Sequence, residues 1–494
     1  MPSLLIISVI ALYFIVLILI ARLTSKSSNN DSFFLGERKS PWYIVAFGMI
    51  GASLSGVTFL SVPAWVGNAG NQFSYMQAVF GYFFGYIIVA LVLIPLYYKM
   101  NLTSIYGYLE QRFGFWSYKT GAFFFLGSRI LGASVRLLLV ANVLQLILFD
   151  DWGIPYFATV IIAVLLIWIY TNKGGIRTII WTDTLQTAFM LSSVFLTVYI
   201  ISDLLDLSSS GGLVNTIKES QYSQIFFFDD LNSSNHFLKH FLGGVFITIG
   251  MTGLDQDMMQ KNLSCKNSGE AQKNILSMAG VLIFVNLIFL SLGALLYMYA
   301  NKTGIGLDVN SDMLFAEIAM HSNTGNLIGI LFLLGVIAAA YSSADSALTS
   351  LTTSFSIDFM NVEKMDKLKA EKTRKTVHIL MSGVLILVVM LLKYATDESA
   401  IGLLMTLAGF TYGPLIGLFF FGIMTNRKLN DSLVPLISLL VPAIIGVLWF
   451  YSTGAPGVEK GELGLFGAYK FGFEIIIYNA ILAFGGLYLI SKKA

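Results

Sequence analysis

The sequence predicts an all-α polytopic membrane protein, and three observations carry the prediction. Of its 494 residues, 56% are apolar and only 12% are charged, with a mean hydropathy of +0.76. A water-soluble domain carries about twice that charge fraction. The apolar residues form continuous runs of helix length, whereas a membrane β-barrel would show short alternating segments. The lysines and arginines fall in alternate loops, which is the asymmetry a bilayer imposes.

Thirteen spans are predicted. A preliminary span covers about Leu4 to Arg22. Its apolar run, Leu4 to Ala21, lacks a basic leader and a small-residue cleavage site, so it reads as a span rather than a signal peptide. The next runs from about Pro41 to Gly67, and others start near Phe73, Trp116, Pro155, Ile179, Phe237, Lys273, Asn326, Thr373, Ala400, Leu433 and Phe471. Counting loops from an outer N-terminus puts Arg22, Lys26, Arg38, Lys39, Lys99, Arg112, Lys119, Lys173 and Arg177 inside. Lys261, Lys266, Lys273, the cluster Lys364 to Lys375, Arg427, Lys428, Lys492 and Lys493 follow on the same side. Outer loops hold Asp150, Asp151, Asp229, Asp230, Asp397, Glu398, Glu459 and Glu462. The C-terminus is then cytoplasmic, in a plasma (inner) membrane. The longest outer loop, about Ser208 to Asn235, is expected to cover the outer mouth.

Several function classes drop out. A net charge of +2 gives no reason to expect a nucleic-acid partner, and the single cysteine, Cys265, excludes an intrachain disulfide framework. His236 and His240 have metal-like spacing without an acidic ligand pattern. No Walker loop, dinucleotide fingerprint or HisGluXxxXxxHis motif is present, which argues against an ATP-driven pump and an enzyme.

Polar residues inside the spans carry the chemistry. From Ala338 to Ser350 hydroxyls recur at Ser342, Ser343, Ser346, Thr349 and Ser350, with a carboxylate at Asp345. A central Asp costs about 2.5–3.5 kcal/mol to insert, so such a stripe faces a bundle interior, a partner helix or an ion. The first core span is weakened by the small and hydroxyl residues from Gly51 to Thr58. Five spans later, the sixth carries Gly243, Gly244, Gly250 and Gly253 and then the polar run Leu254 to Gln260. An odd separation gives the two halves opposite orientation. Paired interrupted helices in corresponding positions point to an inverted-repeat transporter with a midplane site.

These residues resemble a known family. Ser32 to Arg38, Gly174 to Gln186, Asp255 to Lys261, Ala338 to Ser350 and Gly409 to Gly417 are together similar to the sodium:solute symporter family. The likeness extends over nearly the whole chain and is most diagnostic in the Trp181–Thr182–Asp183 run that ends at Gln186. It implies a LeuT-like core of five plus five helices over residues 41–424, with a preliminary helix at 1–23 and two further helices at 430–493. It also implies a sodium-coupled symporter importing a small polar solute, a sugar, sialic acid or other carboxylate, by alternating access. A single copy is expected to suffice. A sodium-dependent sensor without transport is the alternative.

The resemblance implies a shared sodium site at the carbonyls of Gly51, Leu54 and Ala339 and the hydroxyls of Ser342 and Ser343. Sodium is a hard ion that takes oxygen ligands, and an unwound helix has free carbonyls to offer. A second sodium site is implied at Asp183, Ser342 and Ser346, with Asp345 standing where a hydroxyl is expected. One or two sodium ions follow. Two carboxylates there would hold sodium more tightly, or one would keep a proton. In the third core span Arg129 and Arg136 lie on roughly one helix face. They suit a carboxylate substrate, or else neutralise Asp183 and Asp345. The family's carboxylate-binding arginine aligns with Gly132. Other expected cavity residues are Ser53, Ser55, Thr58 and Gln77, more weakly Asp255 and Gln256, with Tyr412 as an outer gate.

Overall fold

The computed structural model describes residues 3–24, 30–67, 71–207, 212–306, 311–395, 400–459 and 461–493. Lys26, Asp397 and Glu398 lie outside the described residues. Among these, ten helices are long and apolar enough to cross a bilayer, or eleven with one bent pair counted as a single span. The preliminary helix is Ser3–Thr24. The core helices follow in order: first Trp42–Trp65, second Tyr75–Lys99, third Phe115–Phe149, fifth Gly175–Leu204, seventh Ser268–Thr303, eighth Asn326–Phe359, ninth Lys367–Tyr394 and tenth Ala400–Met424. The sixth is the bent pair, Phe237–Gly253 and Gln256–Leu263. An eleventh long helix spans Asp431–Phe450.

Two of the thirteen expected spans are shorter apolar helices, Tyr156–Ile169 and Ile475–Leu489. The first belongs to a helical run, Tyr156–Leu204, that is interrupted by non-helical backbone at Gly175 (φ 53°), where the fifth helix begins. The last helix docks on the tenth through glycines at i, i+4 and i+8. A Cβ at Gly409, Gly413 or Gly417 would stand within 2.7 Å of Ile475, Asn479 or Ala480. Small residues at such a seam let two membrane helices approach closely enough for dispersion contact.

Both expected breaks are present. The first core helix leaves helical geometry at Ser55 (φ 46°, ψ 173°). The sixth is bent by 63° between Gly253 and Gln256. A broken ladder in hydrocarbon must have its polar groups satisfied by neighbours. Here Tyr97 donates to the Gly253 carbonyl at 2.8 Å and Tyr106 to the Leu254 carbonyl at 2.9 Å. Asp255 caps the inner half, accepting from the Asp257 and Met258 amides at 3.0 and 3.2 Å. The first helix packs on the fifth, seventh and eighth, and the eighth packs most extensively on the fifth. That arrangement brings the polar face of the eighth helix to the break in the first.

Candidate functional site

A cavity of about 90 Å³ lies between the two broken helices. Ser53, Ser55 and Thr58 line it from the first helix, Thr248 and Thr252 from the sixth, and Arg129 and Arg136 from the third. These three residues of the broken first helix thus share one cavity. A smaller pocket of about 10 Å³ continues beside the same two arginines, lined by Gly132 and Tyr412.

The two arginines differ. Arg129 is 6% exposed and pairs with Asp257, with Asp255 at 3.9 Å. Its charge is spent on the inner half of the sixth helix, which corrects its expected role toward a substrate. Arg136 is also 6% exposed, but its guanidinium has no ion pair or hydrogen bond among the described residues. Its Nη1 lies 3.6 Å from where a Cβ at Gly132 would stand. The guanidinium thus fills the space over the position where the family's arginine aligns.

The other expected cavity residues lie elsewhere. Gln77 is fully buried and does not line the cavity. Its amide donates to the Asn235 carbonyl at 2.9 Å and accepts from the Phe227 amide at 3.1 Å, so it pins the outer loop. Gln256 accepts from the Ile105 amide and donates to the Thr103 carbonyl, which ties the inner half to the loop below the second helix. Asp255 is the helix cap already described. Tyr412 donates to Asp255 and is 3% exposed. It lies twelve residues into the tenth helix, about 18 Å along its axis and near its middle. His236 caps the sixth helix through the Leu238 amide, and His240 bonds the Ser74 carbonyl.

At the expected ion sites, the eighth helix meets the first where a Cβ at Gly56 would stand 3.7 Å from the Ala340 Cα. Ser343 donates to the Ala339 carbonyl at 3.3 Å. Ser342 donates to Asp183 Oδ1 at 2.7 Å. A hydroxyl that donates its proton to one side keeps its lone pairs for a cation on the other. Gly51 and Leu54 are buried directly before the break, where the i→i−4 ladder cannot close across Ser55.

The neighbourhood of Asp183 differs from expectation. Its other oxygen is 2.8 Å from Lys261 Nζ, and both side chains are 1% exposed. Lys261, expected in an inner loop, is a buried residue of the inner half of the sixth helix. Ser346 donates to Asp257, not to Asp183. Asp345 is fully buried, within electrostatic range of Tyr13 on the preliminary helix. Asp183 is therefore countered by a lysine, which the sequence reading did not expect. Sequence reasoning missed Lys261 and Asp257. Their signal was a lysine and an aspartate within a run otherwise flanked by apolar spans.

Two broken helices five spans apart, closing on a polar cavity that holds a buried arginine, define a secondary transporter of the inverted-repeat class. The chain belongs to the sodium:solute symporter family, whose sequence profile matches residues 33–432. It is a sodium-coupled symporter, not an enzyme, and sodium is its coupling ion. A sodium/sialic acid symporter of Aliivibrio fischeri is 26% identical over 86% of this chain and 83% of its own length. One of Proteus mirabilis is 25% identical over 85% of each chain. A sodium-coupled monocarboxylate transporter of Mus musculus is 27% identical over 85% of this chain and 68% of its own. The fold is similar to that of a solved sodium-coupled sialic acid symporter in a substrate-bound outward-open state (TM-score 0.81, 20% identity, 99% of both chains). It is less similar to the nucleobase-cation-symport-1 family transporter Mhp1 in a closed conformation (TM-score 0.53, 15% identity, 94% and 96% covered). These likenesses bear out the LeuT-like helical fold. The sensor alternative is not favoured, since the similar proteins are transporters.

Proposed function

We propose that this symporter imports an organic carboxylate, and that Arg136 holds the substrate's carboxyl group. The observation that carries this reading is the buried Arg136 guanidinium, which lines the cavity without a partner among the described residues. Burying an unpaired charge is costly, and a planar fork facing a cavity suits a carboxylate bidentately. The hydroxyls of Ser53, Ser55 and Thr58 across the cavity suit a polyhydroxylated or otherwise polar remainder. The named relatives of two separate groups, sialic acid and monocarboxylate carriers, both take acids, which supports the same reading. A neutral sugar would leave Arg136 unpaired in the loaded state.

Sodium sits between the first and eighth helices at the carbonyls of Gly51, Leu54 and Ala339 and the hydroxyls of Ser342 and Ser343. Outer sodium draws the two helices together in the outward-open form. Substrate then binds at the breaks, and rocking of the bundle opens the inner side. Five neutral oxygens bind weakly enough to release the ion where sodium is scarce. The transport core is residues 41–424, flanked by the helix at 1–23 and the two at 430–493. The N-terminus faces outward and the C-terminus the cytoplasm of a plasma membrane, and one copy suffices.

The test is uptake into proteoliposomes under an inward sodium gradient, with labelled sialic acid, small monocarboxylates, glucose, inositol and proline. The expected result is sodium-dependent accumulation of an acid, lost in Arg136→Ala and partly kept in Arg136→Lys. Accumulation of glucose or inositol, unaffected by Arg136→Ala, would overturn the carboxylate reading.

A further inference from the structure

We propose that the Lys261 ammonium is a built-in cation in the second ion site, so that this chain carries one sodium per cycle rather than two. The inference rests on the shared sodium site proposed above and extends it. The oxygens expected to hold a second ion are those of Asp183, Ser342, Asp345 and Ser346, and both oxygens of Asp183 are already taken. Asp183 presents one oxygen to Ser342 at 2.7 Å and the other to Lys261 Nζ at 2.8 Å. Ser346 has turned its hydroxyl to Asp257. Asp257 is in turn neutralised by Arg129. The result is a chain of two buried ion pairs bridging the third, fifth, sixth and eighth helices, with Ser342 and Ser346 one helical turn apart joining them.

An ammonium and a sodium ion carry the same charge and seek the same carboxylate lone pairs. Both cannot occupy one carboxylate in a dry site without placing two like charges in contact. The ammonium is tethered, so sodium competes against a ligand of very high effective concentration. Lys261 and Asp183 each leave no more than 1% of the side chain exposed, so water does not screen that competition. The ammonium stays through the cycle and adds nothing to the driving force. One sodium with one carboxylate anion moves no net charge, so import is electroneutral and driven by the sodium gradient alone.

Labelled-sodium binding to the purified protein in detergent tests this without a known substrate. The wild type is expected to bind one sodium per chain with a simple hyperbolic isotherm. Lys261→Ala should bind two, Lys261→Arg one, and Lys261→Ala with Asp183→Asn one again. A wild type that already binds two, or a monodisperse Lys261→Ala that still binds one, overturns the proposal. A wild type that binds none overturns the shared site, and the inference falls with it. Should Lys261→Ala fail to fold, wild-type proteoliposomes decide the matter. Equilibrium accumulation of substrate should rise with the first power of the sodium gradient, and an imposed potassium–valinomycin potential should leave it unchanged. A second-power dependence overturns the proposal.

Discussion

Gly51 on the first core helix donates its amide to the Thr187 hydroxyl of the fifth at 3.1 Å, in a contact that has no room for a side chain. A Cβ at Gly51 would stand 2.2 Å from Thr187 Oγ1 and 3.3 Å from its Cα. The hydroxyl itself donates to the Asp183 carbonyl at 2.7 Å. The segment expected to present carbonyls to sodium is thus held in register against the helix that carries Asp183. Gly51→Ala forces the two helices apart. Overpacking of this kind costs about 1–3 kcal/mol. We expect a lower unfolding temperature in detergent and weaker stabilisation by added sodium. Thr187→Ala in the same chain should recover part of both. An unchanged sodium-dependent shift in Gly51→Ala would show that this contact does not position the ion site.

Ser343→Ala removes one of five expected sodium ligands while leaving the helix intact. We expect the sodium concentration for half-maximal uptake to rise about tenfold, which corresponds to about 1.4 kcal/mol. Ser350→Ala is the matched control, because among the described residues that buried hydroxyl bonds only the Ala347 carbonyl of its own helix. Equal sodium curves for the two variants would remove Ser343 from the site.

Arg129 and Arg136 should separate cleanly by what is measured. Arg129→Ala strands Asp257 in the bundle, and breaking a buried pair costs about 3–5 kcal/mol. Loss of folded protein is expected, eased when Asp257→Asn is added. Arg136→Ala removes a charge without a partner, so the unfolding temperature should hold or rise. Its KM for a carboxylate should increase by roughly ten- to a hundredfold, as for the loss of hydrogen bonds to a charged group worth about 1.5–3 kcal/mol. The opposite assignment of effects, read by thermal unfolding and uptake side by side, would exchange the two roles.

Gln77→Leu should act on the outer loop and not on the substrate. The variant leaves the Phe227 amide and Asn235 carbonyl without their partner. Faster proteolysis within residues 212–235 is expected, with substrate KM unchanged. A raised KM without added cleavage would return Gln77 to the cavity.

Much of the fold was legible because its signals are local. Hydropathy marks helix-length runs, and clustered Gly and Ser mark the weak points, so the breaks at Ser55 and between Gly253 and Gln256 fell in the stretches singled out. The cavity hydroxyls were legible for the same reason, since a residue at a break in a membrane helix lines a cavity or is sealed by protein. Gln77 was misjudged because polar side chains at similar depth have several partners within reach, and the chain order does not say which. Lys261 was misplaced because a loop lysine and a buried lysine look alike until the partner is known.

The sequence by itself determined the membrane class, the helical runs, the two weak points and the family, through hydropathy, backbone propensity and five short motifs. Only the tertiary structure decided which charge meets which. Arg129 finds Asp257 across 128 residues and Ser342 finds Asp183 across 159. Lys261 closes on that same carboxylate. Burial makes each unpaired charge costly, so the pairing is fixed by which helices pack together, and a one-dimensional pattern carries no record of that distance.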